Sequence, residues 1–191
     1  MSKDRMEAFS DAVIAIIMTV MVLELRAPGA ADLAALRPLV PVFLSYVLSF
    51  VFLGIYWTNH HHLLQAVELV NGGVLWANLH LLFWLSLLPF ATAWMGENNF
   101  ATQPAALYGV DLLMAAIAYF ILVRALLSLH GSSSTLAAAL GSDFKGKISI
   151  LIYAVAIPLA FVQSWIACTI YVLVAAMWLI PDPRIEKRLA K

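Results

Sequence analysis

Arg5-Met6-Glu7-Ala8-Phe9-Ser10-Asp11 runs without a break into Ala12-Val13-Ile14-Ala15-Ile16-Ile17-Met18-Thr19-Val20-Met21-Val22-Leu23-Glu24-Leu25. A charged and polar cluster opens an apolar run, and an acid sits near its far end. As a helix, the stretch from about residue 6 to 25 is long enough to cross a hydrocarbon core about 30 Å thick, which takes about 17–25 residues. Ionisable groups at such positions are costly in lipid, so they have partners or a task. Arg5 and Asp11 are six residues apart, which is about 600° of helix, or about 240° after one full turn. They do not face each other along the helix. Each looks for a partner on another helix or another subunit.

Composition carries the same message through the rest of the chain. Of 191 residues, 63% are hydrophobic and 12% charged, and the mean hydropathy is +0.92. A soluble domain is about a quarter charged and about half apolar, so the chain reads as an integral membrane protein. The formal net charge is zero, which gives no global attraction to nucleic acid or to acidic ligands. The one cysteine, Cys168, excludes an intrachain disulfide and a cysteine-based metal cluster. The first apolar run is long and no A-x-A-like cleavage site follows it, so it reads as a retained span rather than a signal peptide.

Six segments meet the length and apolarity of a spanning helix: about residues 6–25, 40–63, 72–95, 105–129, 146–163 and 165–181. Pro38 and Pro41 lead into the second, Gly72-Gly73 opens the third, Pro104 opens the fourth, and Pro181-Asp182-Pro183 stops the sixth. Only Gln163-Ser164 separates the last two, but their combined run is far longer than one span requires. Long unbroken runs exclude a barrel, whose strands alternate over about ten residues. The expectation is an all-α membrane protein, one six-helix domain over 1–191, with His130 to Lys145 as a polar, mobile connection. Six spans put both termini on one side. Lys3, Arg5, Arg124, Lys145, Lys147, Arg184, Lys187, Arg188 and Lys191 collect there, against Arg26 and Arg37 opposite. That bias makes both termini cytoplasmic.

Few residues can carry chemistry. Trp57-Thr58-Asn59-His60-His61-His62 closes the second span. Consecutive helical residues point about 100° apart, so three histidines in a row do not chelate one ion from a single face. They read as interfacial groups, as a hydrogen-bonded tie to Asp11, or as a metal or haem ligand, with His80 on the third span as a possible haem partner. Pro89 removes a backbone hydrogen bond in the third span, and Thr92 can satisfy a freed carbonyl. Asp111 lies inside the fourth span as a proton or cation site or as a bonded structural acid; Arg124 can snorkel to the interface. No G-x-S-x-G, P-loop, H-E-x-x-H or dinucleotide fingerprint is present, so an enzyme is not expected. The T-V-G-Y-G potassium filter is absent as well.

The pattern R-x-x-x-F-S-D, as Arg5, Phe9, Ser10 and Asp11, followed by an apolar span, resembles the transmembrane protein 175 family in its short prokaryotic members. Tyr56-Trp57-Thr58-Asn59-His60-His61 is similar to that family's tryptophan-to-histidine motif, and Leu87-Leu88-Pro89-Phe90 through Gly96-Glu97 to a third family stretch. The resemblance covers about residues 5–97 by motif and the remainder by topology alone. It implies a potassium-permeable channel in a prokaryotic cell membrane, a homotetramer of six-span subunits with the first helix lining the pore. Its partners would be other copies of itself, lipid and the permeant K+, with no cofactor, bound metal or nucleic acid.

The family's stack of large apolar side chains falls here on Ile16, Val20 and Leu23, with Thr19 as the nearby hydroxyl. Positions 16, 20 and 23 form one helical stripe, i, i+4, i+7, although such a stripe on a spanning helix is ordinarily packing or lipid contact. Asp11-Ala12 is placed on or beside its cytoplasmic end. Val20 departs from the family's larger Leu or Ile, which puts the middle ring in doubt. By the same resemblance Arg5, Phe9, Ser10 and Asp11 join His60 or His61 in a structural network at the cytoplasmic end of the first helix. Two other readings stay open: a secondary or proton-coupled transporter using Asp11, Asp111 and the histidines, and a membrane haem or metal redox protein.

Overall fold

The structure, a computed structural model, describes residues 2–131 and 144–179. Among the described residues six α-helices follow one another: α1 Lys3–Leu23, α2 Val40–Gln65, α3 Gly72–Glu97, α4 Thr102–His130, α5 Phe144–Val162 and α6 Ser164–Leu179. A short 3-10 helix, Leu33–Leu39, precedes α2 and contains Pro38. It was not foreseen from the sequence, because its start is set by the Asp32 carboxylate accepting from Ala35 N at 2.9 Å rather than by an apolar pattern. Among the described residues there is no strand.

Local chemistry sets the helix ends. Asn71 Oδ1 accepts from Val74 N at 2.9 Å and caps α3, satisfying one of the amide donors that a helix start leaves free. The turn from α3 to α4 runs through Asn99 and Phe100, at φ 52° and 57°. A left-handed backbone is strained for a residue as bulky as Phe. The Phe100 amide donates to Met95 O at 3.0 Å, and its ring is buried against Trp165 with centroids 5.0 Å apart. Gly131, at φ 81°, ends α4. Between α5 and α6 the chain leaves the helix only at Gln163.

Among the described residues five helical stretches are long and apolar enough to cross a membrane: Lys3–Leu23, Leu33–Gln65, Gly72–Glu97, Thr102–His130 and Phe144–Val162. Within the described residues Ser164–Leu179 gives 16 residues, about 24 Å of rise. The end of the expected sixth span and its Pro181-Asp182-Pro183 stop lie outside the described residues. So do most of the His130–Lys145 connection and four of the basic residues in the charge count, Arg184, Lys187, Arg188 and Lys191.

α3 is the centre of the bundle. It packs on α4, α2 and α1, while α4 also carries α5 and α6. α1 packs on α3 and α2 and so lies at the edge. Helices run up and down, so the start of α1, the ends of α2 and α4 and the start of α3 meet at one end. Lys3, Arg5, Arg124, Lys145 and Lys147 gather at this basic end.

Lipid offers no water to unpaired polar groups, so buried hydroxyls must pair inside the bundle. Thr92 Oγ1 donates to Leu88 O at 2.6 Å, Ser49 Oγ to Thr92 Oγ1 at 2.6 Å, and Tyr108 Oη to Ser49 Oγ at 2.9 Å. Each hydroxyl donates once, and the chain ties α2, α3 and α4 together. The Thr92 hydroxyl thus serves Leu88, not the carbonyl four residues before Pro89. Tyr171 Oη donates to Ala105 O at 3.1 Å and ties α6 to α4.

Candidate functional site

α1 has two faces. Met6, Ser10, Ile14, Ile17 and Met21 are buried on α2 and α3. The opposite side is apolar yet uncovered: Ile16 is 61% exposed, Val20 38% and Leu23 74%, with Phe9 exposed one turn or more below them. Thr19 is exposed too, and its Oγ1 donates to Ala15 O at 2.8 Å. That bond uses the hydroxyl proton and leaves the oxygen able to accept. The four stripe residues therefore share the uncovered flank of the edge helix, available to lipid or to another copy of the chain.

The basic end of α1 is bolted to its neighbours by three polar contacts. Ser10, fully buried, donates to Met6 O at 2.8 Å and accepts from Asn78 Nδ2 at 2.9 Å. Asn78 Oδ1 in turn pairs with His60 Nε2 at 2.8 Å, so His60 donates from that nitrogen. His60 is 0% exposed, and its Nδ1 has no partner among the described residues. Asp11 Oδ1 accepts from the Trp57 indole N–H at 3.1 Å. His61 Nδ1 donates to Glu7 Oε1 at 3.0 Å, while its Nε2 accepts from Gln65 at 2.8 Å. The His61 ring also stacks on Trp57, centroids 6.2 Å apart.

The structure brings Ser10, Asp11, His60 and His61 to this junction and leaves Arg5 exposed, outside it, with no ion pair among the described residues. Phe9 is exposed beside it. Asp11 meets Trp57 and not a histidine. Nor does Asp11 belong to the apolar stripe: the five residues from Asp11 to Ile16 turn the helix by about 500°, so the two stand about 140° apart. Asp11 is on the flank that meets α2. The consecutive histidines diverge as helix geometry requires, and His80 accepts from the Trp84 indole at 2.9 Å. Among the described residues no three or more His, Cys, Asp or Glu side chains come close enough to hold a metal ion. Asp111 is 5% exposed, and neither carboxylate oxygen has a partner among the described residues.

Glu7, Trp57 and above all Asn78 are the junction members that pattern reading did not assign. The available signal for Asn78 was an amide inside an otherwise apolar span, a group that must be bonded in lipid. Removing the Asp11–Trp57 bond from either side, by Asp11→Ala or Trp57→Phe, should lower stability by about 1 kcal/mol. The double variant should lose little more than either single one, and cation preference should stay unchanged. Thermal unfolding of the four proteins, with reversal potentials, checks this; a shift in preference without loss of stability would contradict it.

The family model described as "Endosomal/lysosomal potassium channel TMEM175" matches residues 5–89. A potassium channel of Chryseobacterium sp. is 54% identical over 189 residues, covering 99% of this chain and 98% of that protein. A potassium channel of Streptomyces collinus is 32% identical over 123 residues, 60% of each chain. The crystal structure of a lysosomal potassium-selective channel TMEM175 homolog from Chamaesiphon minutus superposes with a TM-score of 0.81 at 26% identity, covering 93% of this chain and 96% of that one.

Proposed function

From the premise that this chain belongs to the TMEM175 family of ion channels, we propose that it is a potassium channel of the cell membrane in which four copies surround a pore lined by α1. Ile16, Val20 and Leu23 form successive apolar rings, with the Thr19 oxygens beside them. The basic end of the bundle faces the cytoplasm, in line with the charge bias. The observation that carries this reading is the uncovered apolar flank of α1: the helix is bolted to its own subunit on one side and offers large side chains on the other.

Rings of large apolar side chains gate by dewetting. When they close below the width of a hydrated ion, water leaves and conduction stops. Opening widens them until a partly hydrated ion passes. Potassium sheds its hydration shell more easily than sodium and so crosses the rings at lower cost. Val20, smaller than its neighbours, leaves the tighter constrictions to Ile16 and Leu23.

Reconstitution in liposomes with opposed potassium and sodium gradients tests the reading; a reversal potential near that of potassium is expected. Ile16→Ala and Leu23→Ala should each raise conductance or alter cation preference. Unchanged currents and reversal potentials in both would remove these residues from the pore. Saturable flux driven by a proton gradient, without single-channel currents, would replace the channel by a transporter.

A further inference from the structure

At the basic end, the last residue of α4 reaches across to the chain between α2 and α3. His130 Nε2 accepts from the amide of Glu68 at 3.2 Å and from that of Leu69 at 3.1 Å. Its other ring nitrogen, Nδ1, donates to Leu126 O at 2.9 Å, one turn back on α4. A carbonyl oxygen only accepts and an amide N–H only donates. These partners therefore fix the ring as the neutral tautomer with its proton on Nδ1.

The contact has a local cause on both sides. Gly131 leaves the helix at φ 81°, and its amide closes on Leu127 O at 2.9 Å, so α4 stops with His130 at its rim. Opposite it, α2 has ended, residues 67–71 are irregular, and α3 starts only at Gly72. Val67 is buried and pins this segment. The amides of Glu68 and Leu69 have no other acceptor among the described residues.

Two consecutive amides that converge on one lone pair suit an acceptor and repel a positive charge placed there. A proton on Nε2 removes the acceptor and sets an N–H against two N–H groups. Both bonds to the segment are then lost, while the bond from Nδ1 to Leu126 survives. Three bonds hold the neutral ring and one holds the charged ring, so the contact weakens as pH falls.

We propose that His130 is a pH-operated clamp: neutral, it holds the α2–α3 segment on the end of α4, and protonated, it lets the segment go. The other titratable or charged groups on the elements that meet here are Glu68 on the segment itself, His60, His61 and His62 in the last turns of α2, Arg124 earlier on α4, and Lys145 and Lys147 in the first turn of α5. α3 brings none before His80, and α6 none in its last two turns. The clamp needs no pore, so it stands or falls separately from the channel reading.

Hydrogen–deuterium exchange of the 66–71 segment in the full-length protein tests it, at about pH 7.5 and about pH 5.5, either side of the usual histidine range. Each rate is divided by that of an unstructured peptide at the same pH. Protection should fall about tenfold on acidification, the effect of losing about one to two exposed hydrogen bonds. In His130→Gln the side-chain oxygen takes the place of Nε2 and does not titrate, so protection should be the same at both pH values. In His130→Ala it should be low at both. The clamp is overturned if the protection of the parent does not change with pH. It is equally overturned if His130→Gln loses protection on acidification as the parent does, which would assign the effect to the histidines of α2. The comparison of parent and Gln variant decides the matter even if His130→Ala does not fold.

Discussion

Asn78→Leu should lower the unfolding midpoint by about 5–10 °C, the equivalent of about 2–3 kcal/mol for a chain of this size. The substitution keeps the side chain's bulk and removes both of its polar ends. His60, wholly buried, then has no partner at either ring nitrogen, and Ser10 loses the donor from α3. Hydrogen bonds between helices in membranes are worth about 0.6 to 1.7 kcal/mol each, and a buried group left unpaired costs about 1–3 kcal/mol. Ser10→Ala should cost less, because the His60–Asn78 bond survives it. Thermal unfolding in detergent, followed by tryptophan emission, compares the two. An Asn78→Leu midpoint within a degree of the parent would show that the amide does not hold α1.

Gly96→Ala should be at least as damaging, whereas Gly54→Ala should be neutral or mildly stabilising. A methyl group on Gly96 would meet Ser45 Oγ, Val42 Cα at 2.7 Å and Pro41 O at 3.3 Å. Two of these are backbone atoms in the first turn of α2, so the whole helix end must move away from α3. Overpacking of this kind costs about 1–3 kcal/mol and more when backbone must shift. The gain of about 1 kcal/mol from replacing a helical glycine offsets only part of that. At Gly54 nothing lies within 4 Å of the added carbon, so that gain stands alone. Unfolding midpoints that move in the same direction for both variants would contradict the close approach of α2 and α3.

The two glycines also show what a single sequence can and cannot disclose. Each lies in an apolar helix, and nothing local separates them; only the crossing of α2 and α3 does. The helices themselves were legible because hydrophobicity is written at every position of a membrane helix, and the five longest begin and end within about three residues of the apolar runs. The 3-10 turn before α2 was not, since one Asp side chain sets it. At the junction the residue types were visible, but their pairing was not. Asp11 could have met any donor at its level, and the indole of Trp57 reaches it. His60 is drawn instead to Asn78, a residue without a motif around it. Its place follows from the packing of α3 on both α1 and α2.

Among the described residues, every hydrogen bond from an α1 side chain to another helix belongs to Glu7, Ser10 or Asp11; beyond Asp11 the contacts to its own subunit are apolar, and Thr19 bonds only to Ala15. The helix is fastened like a reed held at its base. Its far half, which carries Ile16, Val20 and Leu23, can swing against α2 and α3 by sliding apolar surface over apolar surface, without breaking a single bond to them.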